Sequence, residues 1–246
     1  MTLRTLFLSF LLATLSHAAI ATVIAVEGEA LIVDATGRTK SVPQAGDALA
    51  QNMLVMTREG TVALRWENGS RAVVGPRSKL LIEDTNTAMQ ALGESFFLIE
   101  PLKSATAALK AVAPQSFRVR TKTALIGVRG TEFIVQAGER EEAVLLKAGA
   151  VEVGALKGEF EHFKAVAKSA IEAELQAYEA FKDRLNGDFT AYRKKQELEF
   201  QAYVKSVTLQ PGAALSLQDG QAIERPITPE QEAAFVRYRA FLDPSR

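Results

Sequence analysis

The 246-residue chain contains no cysteine at all. That excludes disulfide staples, a thiol nucleophile, a thiol for lipid attachment and every cysteine-based zinc site, so stability must come from packing. Histidine is nearly as scarce, with two in the chain, His17 and His162. His17 falls in a leader-like stretch, which leaves His162 alone to serve any Ser-His-Asp site or imidazole metal cluster. There is also no excess of one charge: 29 Lys and Arg balance 29 Asp and Glu. Nothing in the charge balance draws the molecule to nucleic acid or to an acidic membrane surface.

Long apolar runs are absent after the first residues. Arg4 supplies a positive start, Leu6 to Leu15 forms a short apolar core, and Ser16-His17-Ala18 or Ala19-Ile20-Ala21 offers small residues for cleavage. This is the pattern of a Sec-type signal peptide over residues 1–21, because an apolar run of about ten residues is half of what a spanning helix needs. A periplasmic or secreted protein with no transmembrane segment after cleavage is expected.

What is present from Ala21 to Val153 is a series of short β segments separated by turns: Glu27-Gly28-Glu29, Thr36-Gly37-Arg38, Glu67-Asn68-Gly69-Ser70 and Gly75-Pro76-Arg77-Ser78. Asn68-Gly69 is expected to make a two-residue type I′ hairpin turn between Thr61–Trp66 and Arg71–Val74. Lys103 to Ala113 is Ala-rich and reads as a helical turn or a mobile loop. Regular spacing of strands predicts a mainly β body, a solenoid or two-layer structure, over residues 22–157.

After Gly158 the pattern changes. Ile171, Leu175, Tyr178, Phe181 and Leu185 fall on one helical stripe, and Phe189, Tyr192, Phe200 and Tyr203 extend it less regularly. Asn186-Gly187 reads as a helix stop, so residues 158–205 are expected to form an inserted helical hairpin. Residues 206–246 then supply returning strands and a C-terminal helix. Thr228-Pro229-Glu230-Gln231 is a capping box for that helix, with Phe235, Tyr238 and Leu242 on one face.

An internal echo supports the insertion. Gly28-Glu29-Ala30-Leu31-Ile32-Val33 is followed by Gly46-Asp47-Ala48-Leu49, and Gly149-Ala150-Val151-Glu152-Val153 by Gly212-Ala213-Ala214-Leu215. The paired glycines stand 18 residues apart in the first copy and 63 in the second, an excess close to the extent of 158–204. Strands accept such an outgrowth when its ends lie close together.

The segment Thr123–Val135 carries a phase break. Ile126 and Val128 occupy one face of a period-two strand, Phe133 and Val135 the other. A one-residue bulge near Gly130 is expected to bring all four to one core face. Gly127 allows a neighbour to approach closely, and Arg129 is placed to satisfy carbonyls left out of the ladder or to pair with a carboxylate. Gly127, Arg129, Gly130 and Thr131 are therefore read as a device that shapes the sheet.

Val119-Arg120-Thr121, followed by Thr123 through Phe133, closely resembles the signature of FecR domains, and the turns at Gly46-Asp47, Asn68–Arg71 and Gly75–Ser78 resemble those preceding it in that family. Lys122 stands where such domains often carry proline. The resemblance spans roughly Ala25 to Val153 and implies an extracytoplasmic, β-rich, solenoid-like domain. The family's name-giving member is a membrane-spanning regulator that relays transporter occupancy to a cytoplasmic sigma factor. With no anti-sigma segment expected before the leader and no span after it, that relay is not carried over.

No catalytic, cofactor or metal site is expected. His162 reads as a surface histidine of the helical insert, and Glu83-Asp84 and Glu139 to Glu142 as solvated loop charge. The expected function is a noncatalytic envelope module that binds a protein or glycan and has a possible signalling role. Tyr178, Phe181, Phe189, Tyr192, Phe200 and Tyr203 are its candidate contact surface, or alternatively close the insert on itself or on the β body. A carboxylate-dependent hydrolase of envelope polysaccharide is the competing expectation.

Overall fold

The computed structural model describes residues 19–34, 36–37, 39–100, 117–165 and 198–243. The Ala-rich stretch within 101–116 and most of the expected insert, residues 166–197, lie outside them.

The fold is mainly β: an open, mixed sheet folded over on itself, with one C-terminal helix. The strands are β1 (Ala21–Glu27), β2 (Ala30–Val33), β3 (Thr39–Ser41), β4 (Ala48–Leu49), β5 (Leu54–Thr57) and β6 (Thr61–Trp66). They continue as β7 (Arg71–Val74), β8 (Lys79–Asp84), β9 (Thr87–Leu98), β10 (Phe117–Arg120), β11 (Ala124–Ala137) and β12 (Glu141–Ala155). The series ends with β13 (Phe160–Ala165), β14 (Leu198–Val204), β15 (Ser206–Leu209), β16 (Ala213–Gln218), β17 (Gln221–Pro226) and the helix α1 (Pro229–Leu242).

Three long strands, β9, β11 and β12, do the folding. The first part of β11 pairs with β10 and with the end of β12, and its second part pairs with β9 and the start of β12. Between the two parts the register slips, from Arg129 opposite Ala150 to Glu132 opposite Ala148, with Gly130 at φ +57°. Ile126, Val128, Phe133 and Val135 consequently all lie in one core. The phase break in the sequence is the trace of this crease.

The same break occurs in β12, where Val144 and Leu146 precede Gly149, Val151 and Val153 follow it, and all four reach that core. It occurs again in β9, between Ala88 and Phe97, around Gly93 at φ +77°. Gly149, at φ +93°, lies so close to its neighbour that a Cβ would stand 2.4 Å from the Gly130 carbonyl oxygen. Strands that bend at such points pass from one layer to the other and enclose a core between them. Phe97 stacks on Phe133 at 5.1 Å, and Trp66 meets Phe117 edge-on at 5.2 Å, in the middle of it.

A second, smaller core lies on the outer side of one layer, where Phe96, Ile134, Leu145 and Ala214 meet Ala234, Phe235 and Tyr238 of α1. The expected capping box is formed: Gln231 N–H donates to Thr228 Oγ1, and Thr228 N–H donates to Gln231 Oε1. Tyr238 Oη donates to Glu94 Oε1 at 2.5 Å, and Gln136 Nε2 donates to Glu94 Oε2. Burial, and then the bond to Glu94, push the Tyr238 phenol well above its ordinary range.

Two expectations need correction. The turn at Asn68-Gly69 is not type I′, because only Gly69 has positive φ. Gly69 N–H donates to Trp66 O and Trp66 N–H to Ser70 O, the pattern of a type I turn closed by a glycine bulge, and Asn68 Oδ1 accepts Ser70 N–H inside it. The expected helical stretch 158–205 is strand at both described ends: β13 and β14 pair antiparallel, with Ala165 opposite Leu198. Phe160-Glu161-His162-Phe163 alternates buried and half-buried positions, as a strand does.

The echo is visible in the pairing. Gly46 N–H donates to Val23 O and β4 then pairs with β1, Leu49 opposite Ala21. Likewise Gly212 N–H donates to Leu146 O and β16 pairs with β12, Leu215 opposite Val144. Five residues connect β2 to β3 in the first copy, whereas β13, β14 and everything between them separate β12 from β15 in the second. β13 is held to the body by parallel pairing with β17.

Gly149→Ala combines a positive φ with a collision against backbone, so it is expected to destabilise the fold by at least about 2 kcal/mol in urea unfolding. A loss below about 0.5 kcal/mol contradicts the crease. Tyr238→Phe is expected to cost about 1–3 kcal/mol at neutral pH, since a hydrogen bond to a carboxylate is lost in a buried place. Because folding raises the phenol's pKa, its contribution is complete below about pH 10, the unfolded value, and disappears as pH rises further. The gap between native protein and variant should therefore narrow in alkaline solution.

Candidate functional site

The motif residues sit at the crease. Gly127 is buried in mid-sheet between Arg118 of β10 and Glu152 of β12. Thr131, 2% exposed, repairs the ladder around the bulge. Its Oγ1 accepts Arg129 N–H at 3.2 Å and donates to Ala150 O at 3.0 Å, while its own N–H and carbonyl pair with Ile99. The role expected of the arginine belongs to the threonine. Among the described residues the Arg129 guanidinium makes no hydrogen bond or ion pair, and its Nη2 is buried. A short β-hydroxyl reaches its own strand's amide and the neighbouring carbonyl together; a long guanidinium overshoots them.

His162 is not on a surface helix. It lies on β13, 9% exposed, with Nε2 3.2 Å from Glu224 Oε2 of β17, an oxygen that Lys164 also approaches at 3.3 Å. Of the carboxylates named in the sequence, Glu83, Asp84 and Glu142 are held in hydrogen bonds. Glu83 bonds Arg120, and Asp84 Oδ1 accepts Asn86 N–H. Glu142, 4% exposed, accepts from Thr121 Oγ1, Lys122 N–H and Thr123 Oγ1 at 2.5, 2.9 and 2.5 Å. That arrangement ties down the turn that opens β11.

Of the six aromatic residues named as a contact surface, Tyr178, Phe181, Phe189 and Tyr192 lie outside the described residues. Phe200 and Tyr203 are on β14 and are exposed by 48% and 65%. Three positions apart, they would point to opposite faces of a regular strand. The register slips here, with His162 opposite Ala202 and Phe163 opposite Phe200, so Gln201 is the extra residue of a bulge. The two rings thereby meet at 5.4 Å, and Phe163 meets Phe200 at 5.5 Å, each pair edge-to-face. Tyr203 Oη lies 3.5 Å from Glu161 Oε1, and Gln221 Nε2 donates to Glu161 Oε2 at 3.1 Å. The outcome is a ledge of three rings bordered by a carboxylate and an amide, where β13 and β14 pair.

A cleft of about 340 Å³ lies at the end of the sheet, lined in part by Lys122, Arg140, Leu156, Phe160, Leu217 and Asp219. Among the described residues no group of acidic and histidine side chains is arranged to hold a metal ion, and no helix is long and apolar enough to cross a membrane.

Residues 53–152 match the family described as FecR protein. Two solved structures of candidate anti-sigma factors from Parabacteroides distasonis ATCC 8503 are similar to it. One has a TM-score of 0.44 at 15% identity, covering 74% of this chain and 62% of that one. The other has 0.35 at 14%, covering 86% and 65%. The chain thus spans less than two thirds of either protein's length. No curated protein matches it.

Replacing Thr131 by Val leaves two backbone groups at the bulge without their partner, and about 1–3 kcal/mol of stability should be lost. Arg129→Met keeps the apolar stem and removes a buried group that has no partner, so its stability should stay within about 1 kcal/mol of native. Thermal denaturation of both variants checks the assignment, and the opposite ranking contradicts it.

Proposed function

We propose that this FecR-domain chain is exported through its leader, residues 1–21, and acts without catalysis as a recognition module of the bacterial cell envelope. Its ligand is an envelope protein or glycan, its role is in signalling, and Phe200 and Tyr203 belong to the contact surface. The FecR domain supports the regulatory part of this reading, and the leader pattern supports the location.

The single observation that carries the binding role is the ledge. Two large rings at 48% and 65% exposure, brought to one face by a bulge, form an apolar surface that folding does not require. The adjoining Glu161 and Gln221 add acceptors and donors at its edge. Rings with polar groups beside them suit a partner surface in which aromatic anchors supply contact area and the border supplies orientation.

The double variant Phe200→Ala with Tyr203→Ser should recover at least about fivefold less crosslinked partner or retained glycan from isolated envelopes, at the 1–3 kcal/mol scale of truncated anchors. Its circular dichroism should match the native protein. Equal recovery overturns the reading, and release of new reducing ends from envelope polysaccharide would point to hydrolysis instead.

A further inference from the structure

The cleft at the end of the sheet is assembled from four turns, around residues 121–123, 138–140, 156–159 and 218–220. Its apolar floor is Leu156, Phe160 and Leu217, of which Phe160 and Leu217 are buried and Leu156 is 41% exposed. Its rim carries both signs of charge: Lys122, Arg140 and Lys157 against Glu139, Glu159 and Asp219. Lys122 Nζ donates to Gly138 O. Among the described residues, Arg140, Lys157, Glu139, Glu159 and Asp219 form neither ion pairs nor side-chain hydrogen bonds.

The walls are built in advance. The buried Glu142 carboxylate holds the 121–123 turn by three hydrogen bonds, Leu156 N–H donates to Thr123 O, and Glu161 N–H donates to Gly220 O. Preorganised walls of this kind reduce the cost of ordering on binding. Cations and acids that stay apart around an apolar floor are poised for a ligand bearing both charges.

We propose that this cleft binds a short peptide segment of mixed charge, seating one aliphatic side chain on the Leu156–Phe160–Leu217 floor between an acidic and a basic group. A cavity of about 340 Å³ lies at the small end of ligand pockets and suits a tripeptide. A neutral sugar can hydrogen-bond to the rim but neutralises none of its charges. A headgroup of one sign meets like charge from half of the rim, which costs affinity. A peptide with an acid and a base on either side of an apolar residue matches floor and rim together.

The test is a titration of 15N-labelled full chain with the end-blocked tripeptide Glu-Leu-Lys, followed by amide chemical shifts. Saturable shifts confined to the four turns are expected. The blocked peptide Gln-Leu-Gln, and the double variant Arg140→Gln with Lys157→Gln, should each weaken binding about tenfold, the effect of losing two partly exposed ion pairs. Leu156→Gln should weaken it as well by removing part of the floor. Phe200→Ala with Tyr203→Ser should leave it unchanged, so the cleft and the aromatic ledge are tested separately. Absence of saturable shifts at millimolar peptide, equal binding of Gln-Leu-Gln, or preferential binding of maltotetraose overturns the proposal.

Discussion

The close approach of Gly149 to the carbonyl oxygen of Gly130 is the constraint on which the rest of this fold depends. It lets two adjacent strands crease at the same level, and Gly93 repeats the crease on the third. Without it, each of these strands would divide its apolar residues between two faces. With it, residues before and after the bend converge on one core, and the opposite faces of the same strands are left for α1 to cover. Positive φ alone is tolerated by asparagine or aspartate, as at Asn52 and Asp219, but a Cβ 2.4 Å from a backbone oxygen is not, so this position requires glycine.

Much of this framework was legible because a strand's period is two and cannot drift. A phase break between Val128 and Phe133, with glycine at the break, has few explanations other than a bulge. The capping box before α1 was equally readable, since Thr228, Pro229 and Gln231 act within four residues of one another. The identity of the group that repairs the bulge was harder. Arg129 and Thr131 both flank it, and the choice rests on reach, which side-chain chemistry alone does not give.

At both described ends of 158–205 the sequence pattern misleads for a related reason. Residues three apart share a face on a helix, so Phe200 and Tyr203 were assigned to the helical stripe that begins at Ile171. A bulge at Gln201 produces the same proximity on a strand. Local spacing cannot separate these cases, whereas pairing with Phe163 and then β17 can. His162 goes with them, as its neighbours come from β17, whose Glu224 lies 62 residues away. Asn68-Gly69 shows a similar limit: the dipeptide announces a hairpin, but loop closure by Ser70 decides which turn is made.

The division between frame and additions bears on function. The insert interrupts a connection between β12 and β15 whose ends remain together, with Ala155 N–H donating to Lys205 O and Gly154 opposite Ser206. Lengthening such a connection costs little closure entropy, because that cost grows only logarithmically with length. Chain can therefore be added there without disturbing the crease. The exposed rings are carried by this addition, and the mixed-charge cleft by turns at the sheet's end, both away from the Gly130–Gly149 contact. A core whose glycines lie away from its margins tolerates changes of surface residues there without losing its crease.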